Sequence, residues 1–547
     1  MTYSIPKIDK RVISSICILG GGTSGFVTAA ILSEYFKNIK IKCVYSSSIG
    51  RIGVGESTQL AINDVFQFLG LRDRDWMPKC NATYKTNLKF EGWSDADFFY
   101  PFGDLTGDDV SDFFILTHLF PEIKHNQFSR FHRYHSRFAE LNRFSDEGWD
   151  YHELSAYHFD TEKLAKLFYD VCLGNGVEFV DDKYIRANKS EDGNIVSLKC
   201  ENGTHEADMF IDCTGFHSEL LGRVMGVPYK SYADTLVNNR CVAVKIPYTD
   251  KNEQLKCYTN NVAMKNGWCY EIPLWDGLSV GYVHSLKFAK PSEIDEEFEQ
   301  KYGVAPSRGV DFKTGRYEKG WVKNVAAVGL SYGFIEPLEA TGLASVVTNI
   351  FRLLEGLSTH LSPNSFDREI FNHACGTHLD NDRTFVDMHY AASHRSDTEY
   401  WKYVTSIDYH WNEHSCGRSI EMVTGDRDFS NKKANGGLSF ILAGNGYSPH
   451  SPAFIEKMGD RNYYMDLKNK ILQEDKELTE KEVDKCIDTF AKTVKIHVKD
   501  FLKQMPQDKP RLRLSTIGRP DRQLWYDFKK PHNKPLAPST RIKFLYG

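Results

Sequence analysis

The 547-residue sequence contains no run of roughly 20 apolar residues, so no helical membrane span is expected. The N-terminal Met1-Thr2-Tyr3-Ser4-Ile5-Pro6 lacks the basic start and apolar core of a secretory signal. A cytoplasmic protein is expected, with no membrane partner. The 12 cysteines include no Cys-x-x-Cys pair and no regular spacing, which argues against a zinc ribbon or a disulfide scaffold. A large charge excess is also missing. Lys and Arg total 68 against 73 Asp and Glu, a formal net charge of -5, so no polyanionic partner is required. The tail 501–547 is locally basic, but mixed prolines and the lack of a repeated aromatic–basic platform favour an arm packed on the protein over a nucleic-acid contact. His410 and His414 are four apart, yet no third ligand follows at a recognisable interval, and no metal is expected.

What is present begins close to the N-terminus. Ile16-Cys17-Ile18-Leu19 runs into Gly20-Gly21-Gly22-Thr23-Ser24-Gly25, and a helical pattern follows from Val27. Gly20, Gly22 and Gly25 occupy the three glycine positions of a dinucleotide fingerprint. They allow a sharp turn, backbone approach to a pyrophosphate, and close helix–strand packing. The pyrophosphate would meet the free N–H groups of the helix start, around Thr23 and Ser24. The next strand, Ile39–Tyr45, ends in Tyr45-Ser46-Ser47, with no acid for a ribose diol. That lack argues against a freely exchanging nicotinamide cofactor.

Further along, Gly53-Val54-Gly55-Glu56-Ser57-Thr58 reads as a compact loop over the cofactor, or as a helix start capped by Ser57 or Thr58. Lys85 and Lys89 are four apart and would share a face of a helix; spacing alone reads them as surface lysines. Thr161–Leu173 is amphipathic and ends in Gly174-Asn175-Gly176, which predicts a helix and its stop. Strands are predicted at 177–179, 185–187 and 195–200, and again at Ala207–Asp212 before a Gly215 turn. Alternation over 241–286 predicts an antiparallel platform in which Trp268 and Tyr270 share one face. Val325–Leu330, with Gly329, returns the chain to strand and turn. Phe334–Gly342 then places Glu339 just ahead of a helix whose Thr341 and Gly342 amides can receive an anion.

The order and separation of these motifs resemble the flavin-dependent tryptophan-halogenase family, from about residue 15 to about residue 450. The resemblance rests on Gly20–Gly25, Gly53–Thr58, Lys85 with Lys89-Phe90-Glu91-Gly92-Trp93, Asp212–Gly215, Gly267–Pro273 and Phe334–Gly342. It implies an α/β fold: an FAD-binding domain of the aromatic-hydroxylase type, a mixed sheet platform and a more helical substrate-binding part. The corresponding division is 12–100 and 161–355 for FAD and platform, 101–160 for a pocket insertion, 356–470 for the helical part and 471–547 for a C-terminal helix and arm.

The resemblance also implies FAD reduced by a separate NAD(P)H-dependent flavin reductase, with halide and oxygen as co-substrates and a small aromatic compound as acceptor. A homodimer and a marine phage-encoded member are both compatible with it. Gly20, Gly22, Thr23, Ser24, Gly25, Gly53, Val54, Gly55, Glu56 and Gly329 would bind the cofactor, and Thr341 and Gly342 the halide. Lys85 would hold the hypohalous acid or form a haloamine, and Glu339 would position the electrophile or take the ring proton. Trp268, Tyr270, Ile272 and Pro273 would form the wall that keeps substrate from flavin. Two departures stand out. The family's Trp-x-Trp-x-Ile-Pro has Tyr270 at its second tryptophan, and Ala340 replaces a serine beside Glu339. Both loosen the expectation of free tryptophan as substrate and of chloride as halide. Bromide or iodide is expected above chloride, and an aromatic monooxygenase is the alternative activity.

Overall fold

The computed structural model describes residues 12–50, 55–102, 109–132, 136, 139–140, 154–358, 361–409, 436–447 and 460–477. Gly53, Val54, His410, His414 and the tail from 478 onward lie outside the described residues.

Short apolar runs between glycine turns build the first sheet. Its strand order is Trp321–Val322, Val325–Ala327, Met209–Asp212, Ser15–Leu19, Lys40–Tyr45 and Glu178–Asp181. All pairings are parallel except that of the edge strand Trp321–Val322. Parallel strands are buried on both faces, and Ile16, Cys17 and Ile18 accordingly have 0–1% exposure. The helix Thr161–Gly174 packs beside the first helix, Thr23–Tyr35. Its start is capped by the Asp160 carboxylate, which accepts from the Glu162 and Lys163 amides. Leu164, Ala165, Phe168 and Cys172 supply its buried stripe.

The platform is a seven-stranded sheet in the order Arg308–Asp311, Arg240–Ile246, Gly277–His284, Gly267–Leu274, Tyr258–Met264, Asn87–Glu91 and Phe98–Pro101. Only the Tyr258–Met264 to Asn87–Glu91 pairing is parallel.

A three-stranded sheet, Gly55–Ser57, Ala156–Asp160 and Thr83–Lys85, connects to the platform. The Gly55 amide donates to Ser279 Oγ at 3.0 Å, and Thr83 Oγ1 donates to the Pro273 carbonyl at 2.6 Å. This sheet corrects two expectations. Ser57 and Thr58 do not cap a helix: Ser57 Oγ meets Thr259 Oγ1, and Thr58 Oγ1 donates to the Tyr157 carbonyl. The helix that follows is Ile62–Phe68, which has no side-chain cap. Lys85 and Lys89 share no helical face either, because they lie on the separate strands Thr83–Lys85 and Asn87–Glu91. Their environments differ accordingly. Lys89 pairs with Glu91 and Asp97, whereas Lys85 is fully buried.

The helical part is carried by Thr341–Ser358 and the 28-residue Ser365–Ala392, which pack together, with Glu399–Thr405 and Gly436–Gly444 against the second. Asn364 caps the long helix by accepting from the Phe366 amide.

Candidate active site

Four glycines shape the turn before the first helix. Gly20 has φ +123°, and a Cβ there would lie 2.2 Å from the Cys213 carbonyl oxygen. A Cβ on Gly25 would lie 2.0 Å from the Gly20 oxygen, so the third glycine is required by helix–turn contact. At Gly21 a Cβ would strike the Tyr45 ring, whereas Gly22 faces open space. Gly22 is the helix N-cap, with no side-chain cap and no acid in the first turn, so the Thr23 and Ser24 end presents uncapped N–H groups. Gly329, at φ +71°, packs against Ser24: a Cβ there would sit 2.5 Å from Ser24 Oγ. Open space over an uncapped helix start, walled by close-packed glycines, fits a dinucleotide pyrophosphate. The returning strand is tied off by Asp212, whose carboxylate accepts from the Thr214, Leu220 and Leu221 amides.

Lys85 ends the strand Thr83–Lys85. Its Nζ donates to the Thr58 carbonyl at 2.9 Å and lies 5.0 Å from the centre of the Phe102 ring. Burial lowers its ammonium from 10.5 to about 7, against the opposing pull of Glu339 and then Glu56. Near neutral pH the group is therefore divided between ammonium donor and free amine. Glu56, partly buried on the other outer strand of the same three-stranded sheet, is pushed up to about 7 by desolvation, with the Lys85 charge opposing.

Glu339 closes the short turn Pro337–Glu339. Ala340 then takes φ 55°, a left-handed conformation, and Thr341 opens the helix Thr341–Ser358. The Glu339 carbonyl accepts from Gln59 Nε2 at 2.7 Å, which ties this turn to the segment after the Gly55–Ser57 strand. Its carboxylate Oε1 lies 2.6 Å from His389 Nε2. Beside it, Thr341 Oγ1 is buried without a hydrogen-bond partner, and a Cβ on Gly342 would lie 3.5 Å from Glu56 Oε1. Lys85, Glu56, Glu339, Thr341 and Gly342, far apart in the sequence, thus converge. The arrangement pairs a titratable nitrogen and a buried carboxylate with an anion-receptive helix start.

Trp268, Tyr270, Ile272 and Pro273 all lie in the platform strand Gly267–Leu274 and are buried, Trp268 and Tyr270 having ring centres 6.4 Å apart. Tyr270 is accommodated by its cross-strand partner Gly281, where a Cβ would come within 2.1 Å of the ring. Its hydroxyl lies 3.9 Å from Cys241 Sγ. A ring this tightly packed has little room to move.

Sequence reasoning passed over His389 and Phe102 as site residues, since both lie outside the motifs and outside any spacing pattern. It also missed Asn238, whose Nδ2 donates to Glu336 Oε2 at 2.6 Å, three residues before Glu339. Among the described residues one trio, Asp182, Cys200 and His205, brings metal-ligand atoms within 4.8 Å of one another. Hydrogen bonds account for it, since Asp182 accepts from the Asn202 amide and pairs with His205.

The parallel sheet with its glycine cradle, the strand platform and the buried Lys–Glu site define a flavoprotein oxidoreductase of the aromatic-hydroxylase type. The tryptophan halogenase family model matches residues 15–455, and the chain belongs to that family. It is 31% identical over 492 residues to tryptophan 7-halogenase KtzQ of Kutzneria sp. (strain 744), covering 81% of this chain and 91% of that protein. It is 33% identical over 417 residues to the same organism's 7-chloro-L-tryptophan 6-halogenase KtzR, covering 70% and 80%. Among solved structures, the apo structure of VirX1 superposes with a TM-score of 0.81 at 32% identity, covering 87% of this chain and 97% of that one. Tryptophan 6-halogenase SttH from Streptomyces toxytricini gives 0.75 at 29%, covering 86% and 97%. The protein is a flavin-dependent halogenase of aromatic substrates that uses FAD, halide and oxygen. The comparisons support the family and carry no indication of a marine phage origin. Among the described residues, no helix is long and apolar enough to cross a membrane.

Proposed function

We propose that Lys85 and Glu339 are the catalytic residues for halogenation of an electron-rich aromatic or heteroaromatic ring, and that bromide or iodide is used ahead of chloride. The observation that carries this reading is the burial of both groups at one site, with Lys85 drawn down to about 7. FAD would be held by Gly20, Gly22, Thr23, Ser24, Gly25, Gly55, Glu56 and Gly329, with Gly53 and Val54 assigned to the same cradle by their motif. When bound and reduced, it supplies with oxygen the oxidising equivalent that converts halide to hypohalous acid. Thr341 and Gly342 receive the halide at the helix start. Lys85 holds the hypohalous acid through its ammonium, or takes the halogen on its amine, and aims it at the ring. Glu339 takes the proton that the ring must lose. Trp268, Tyr270, Ile272 and Pro273 keep the organic substrate away from the flavin, so it meets halogen rather than oxygen.

The relatives named for tryptophan make an indole ring the first substrate class to test. A separate NAD(P)H-dependent reductase, in the cytoplasm, completes the reading as the source of reduced flavin. Heavier halides are easier to oxidise and less strongly hydrated, and Ala340 leaves no hydroxyl beside Glu339 to favour a small hydrated anion. The test is incubation with a flavin reductase, NADH, FAD, oxygen and indole, with chloride, bromide and iodide at equal concentration, read by product mass. Brominated or iodinated product is expected to dominate. A dominant chlorinated product overturns the halide preference alone. An oxygenated product that forms without halide overturns the reading in favour of a monooxygenase.

A further inference from the structure

His389 has no part in the roles assigned so far, yet it is joined to Glu339 by a contact of 2.6 Å between Nε2 and Oε1. The two side chains are 1% and 2% exposed. The imidazole is held in place by aromatic rings: Phe90 and Phe385 lie 5.2 and 5.1 Å away, centre to centre. Its other nitrogen, Nδ1, lies 2.8 Å from the Phe385 carbonyl oxygen one helical turn back. A carbonyl oxygen can only accept, so Nδ1 carries a hydrogen. Nε2 then meets Glu339 in one of two states. Either it donates as an imidazolium to a carboxylate, or its lone pair accepts from a protonated carboxyl. In both, one proton occupies the short gap between the residues.

We propose that His389 is the positioning and proton-holding partner of Glu339, a role that rests on the reading in which Glu339 takes the ring proton. The His389 ring fixes Oε1 in a buried site, where an unpartnered carboxylate is disfavoured. The other carboxylate oxygen is left to receive the ring proton. The balance of the step is simple. A ring π pair forms the carbon–halogen bond while the halogen–oxygen bond breaks, its electrons going to oxygen as hydroxide. The C–H pair returns to the ring and its proton passes to Glu339. Hydroxide takes one proton from the pair to become water, so the Glu339–His389 pair ends with the single proton it held at the start.

Other ionisable groups face this pair. Lys85 and Asp382 act on Glu339, and Glu336 acts on His389. Glu56 acts through Lys85, and His378 lies behind Asp382 at 3.4 Å. None of them is altered in the variants below.

The experiment compares wild type, His389→Ala, His389→Gln, Glu339→Gln and the double variant His389→Ala/Glu339→Gln. Indole is the acceptor and bromide the halide, and FAD binding and Tm are checked for each protein. The glutamine amide of His389→Gln would still offer an N–H to Oε1 but cannot carry a charge. His389→Ala is expected to lower kcat about 10-fold or more while KM for indole changes little. His389→Gln should restore part of the rate that His389→Ala loses, because its amide N–H can still hold Oε1. The double variant should be no slower than Glu339→Gln, because residues acting as one unit are not additive. If His389→Ala does not fold, the same cycle is run with His389→Gln and its double variant with Glu339→Gln. An unchanged kcat in His389→Ala, or losses that multiply in the double variant, overturns the proposal while wild type still brominates. A wild type that forms no halogenated product with chloride, bromide or iodide overturns the reading of Glu339 on which this proposal rests, and the proposal with it.

Discussion

Lys85 is held in a form that the fold itself disfavours. Its folded pKa, about 7, lies below the 10.5 of the exposed group, so between those values the unfolded chain binds more protons. Stability from this group therefore rises with pH across that window, and the cost of its charge is complete below about pH 7. Lys85→Met, close to the neutral amine in shape, is expected to stabilise the protein by about 1 kcal/mol or more at pH 6–7 while abolishing product. The gain should shrink towards pH 10.5. Thermal melts of both proteins at pH 6.5 and 9.5 check this, and an equal Tm difference at the two values would be the wrong outcome. Ala340 carries a different strain. A left-handed alanine costs ~1 kcal/mol, so Ala340→Gly should raise stability slightly, by ~0.5 kcal/mol after the entropy of glycine is counted. Ala340→Ser keeps the strained backbone and returns a hydroxyl beside Glu339. It should raise the share of chlorinated product in mixed halide, and an unchanged product ratio would remove Ala340 as a determinant.

At the scale of elements, the turn and helix at Gly20–Tyr35 separate folding from binding. Gly25 is needed by the protein itself, since a Cβ would lie 2.0 Å from the Gly20 oxygen, whereas Gly22 faces open space. Gly25→Ala is expected to destabilise even the flavin-free protein, by ~2 kcal/mol or more. Gly22→Ala should leave the flavin-free Tm within a degree or two and weaken FAD binding several-fold, because its methyl enters the space assigned to phosphate. Flavin titration and melts of the flavin-free proteins separate the two effects. This element was legible in the sequence because glycine spacing and the strand–helix switch are local. Ile195–Cys200 was legible for the same reason, as was the helix from Thr161. The strand at Gly55–Ser57 was not, since it exists only by pairing with Ala156–Asp160, about 100 residues on. Its glycine-flanked sequence carries no alternation to betray it, and its hydroxyls are spent on Thr259 and the Tyr157 carbonyl rather than on a helix cap.

At the scale of the whole molecule, the site is a meeting of distant segments. Lys85 comes from the three-stranded sheet, Glu339 from the turn before the Thr341–Ser358 helix, and His389 from the long helix packed beside it. Motif resemblance found the first two. Nothing in the spacing pointed to the third, because helix–helix packing, not sequence order, brings His389 to Glu339. What remains to be measured is whether this convergence performs the chemistry. The most direct measurement is bromination of indole by wild type, Lys85→Ala and Glu339→Gln, each first shown to bind FAD, with reductase-supplied flavin and product counted by mass. Wild type should form bromoindole, and each variant should lose at least ~100-fold in turnover with FAD affinity nearly unchanged. Turnover at the wild-type rate in either FAD-competent variant would contradict the account.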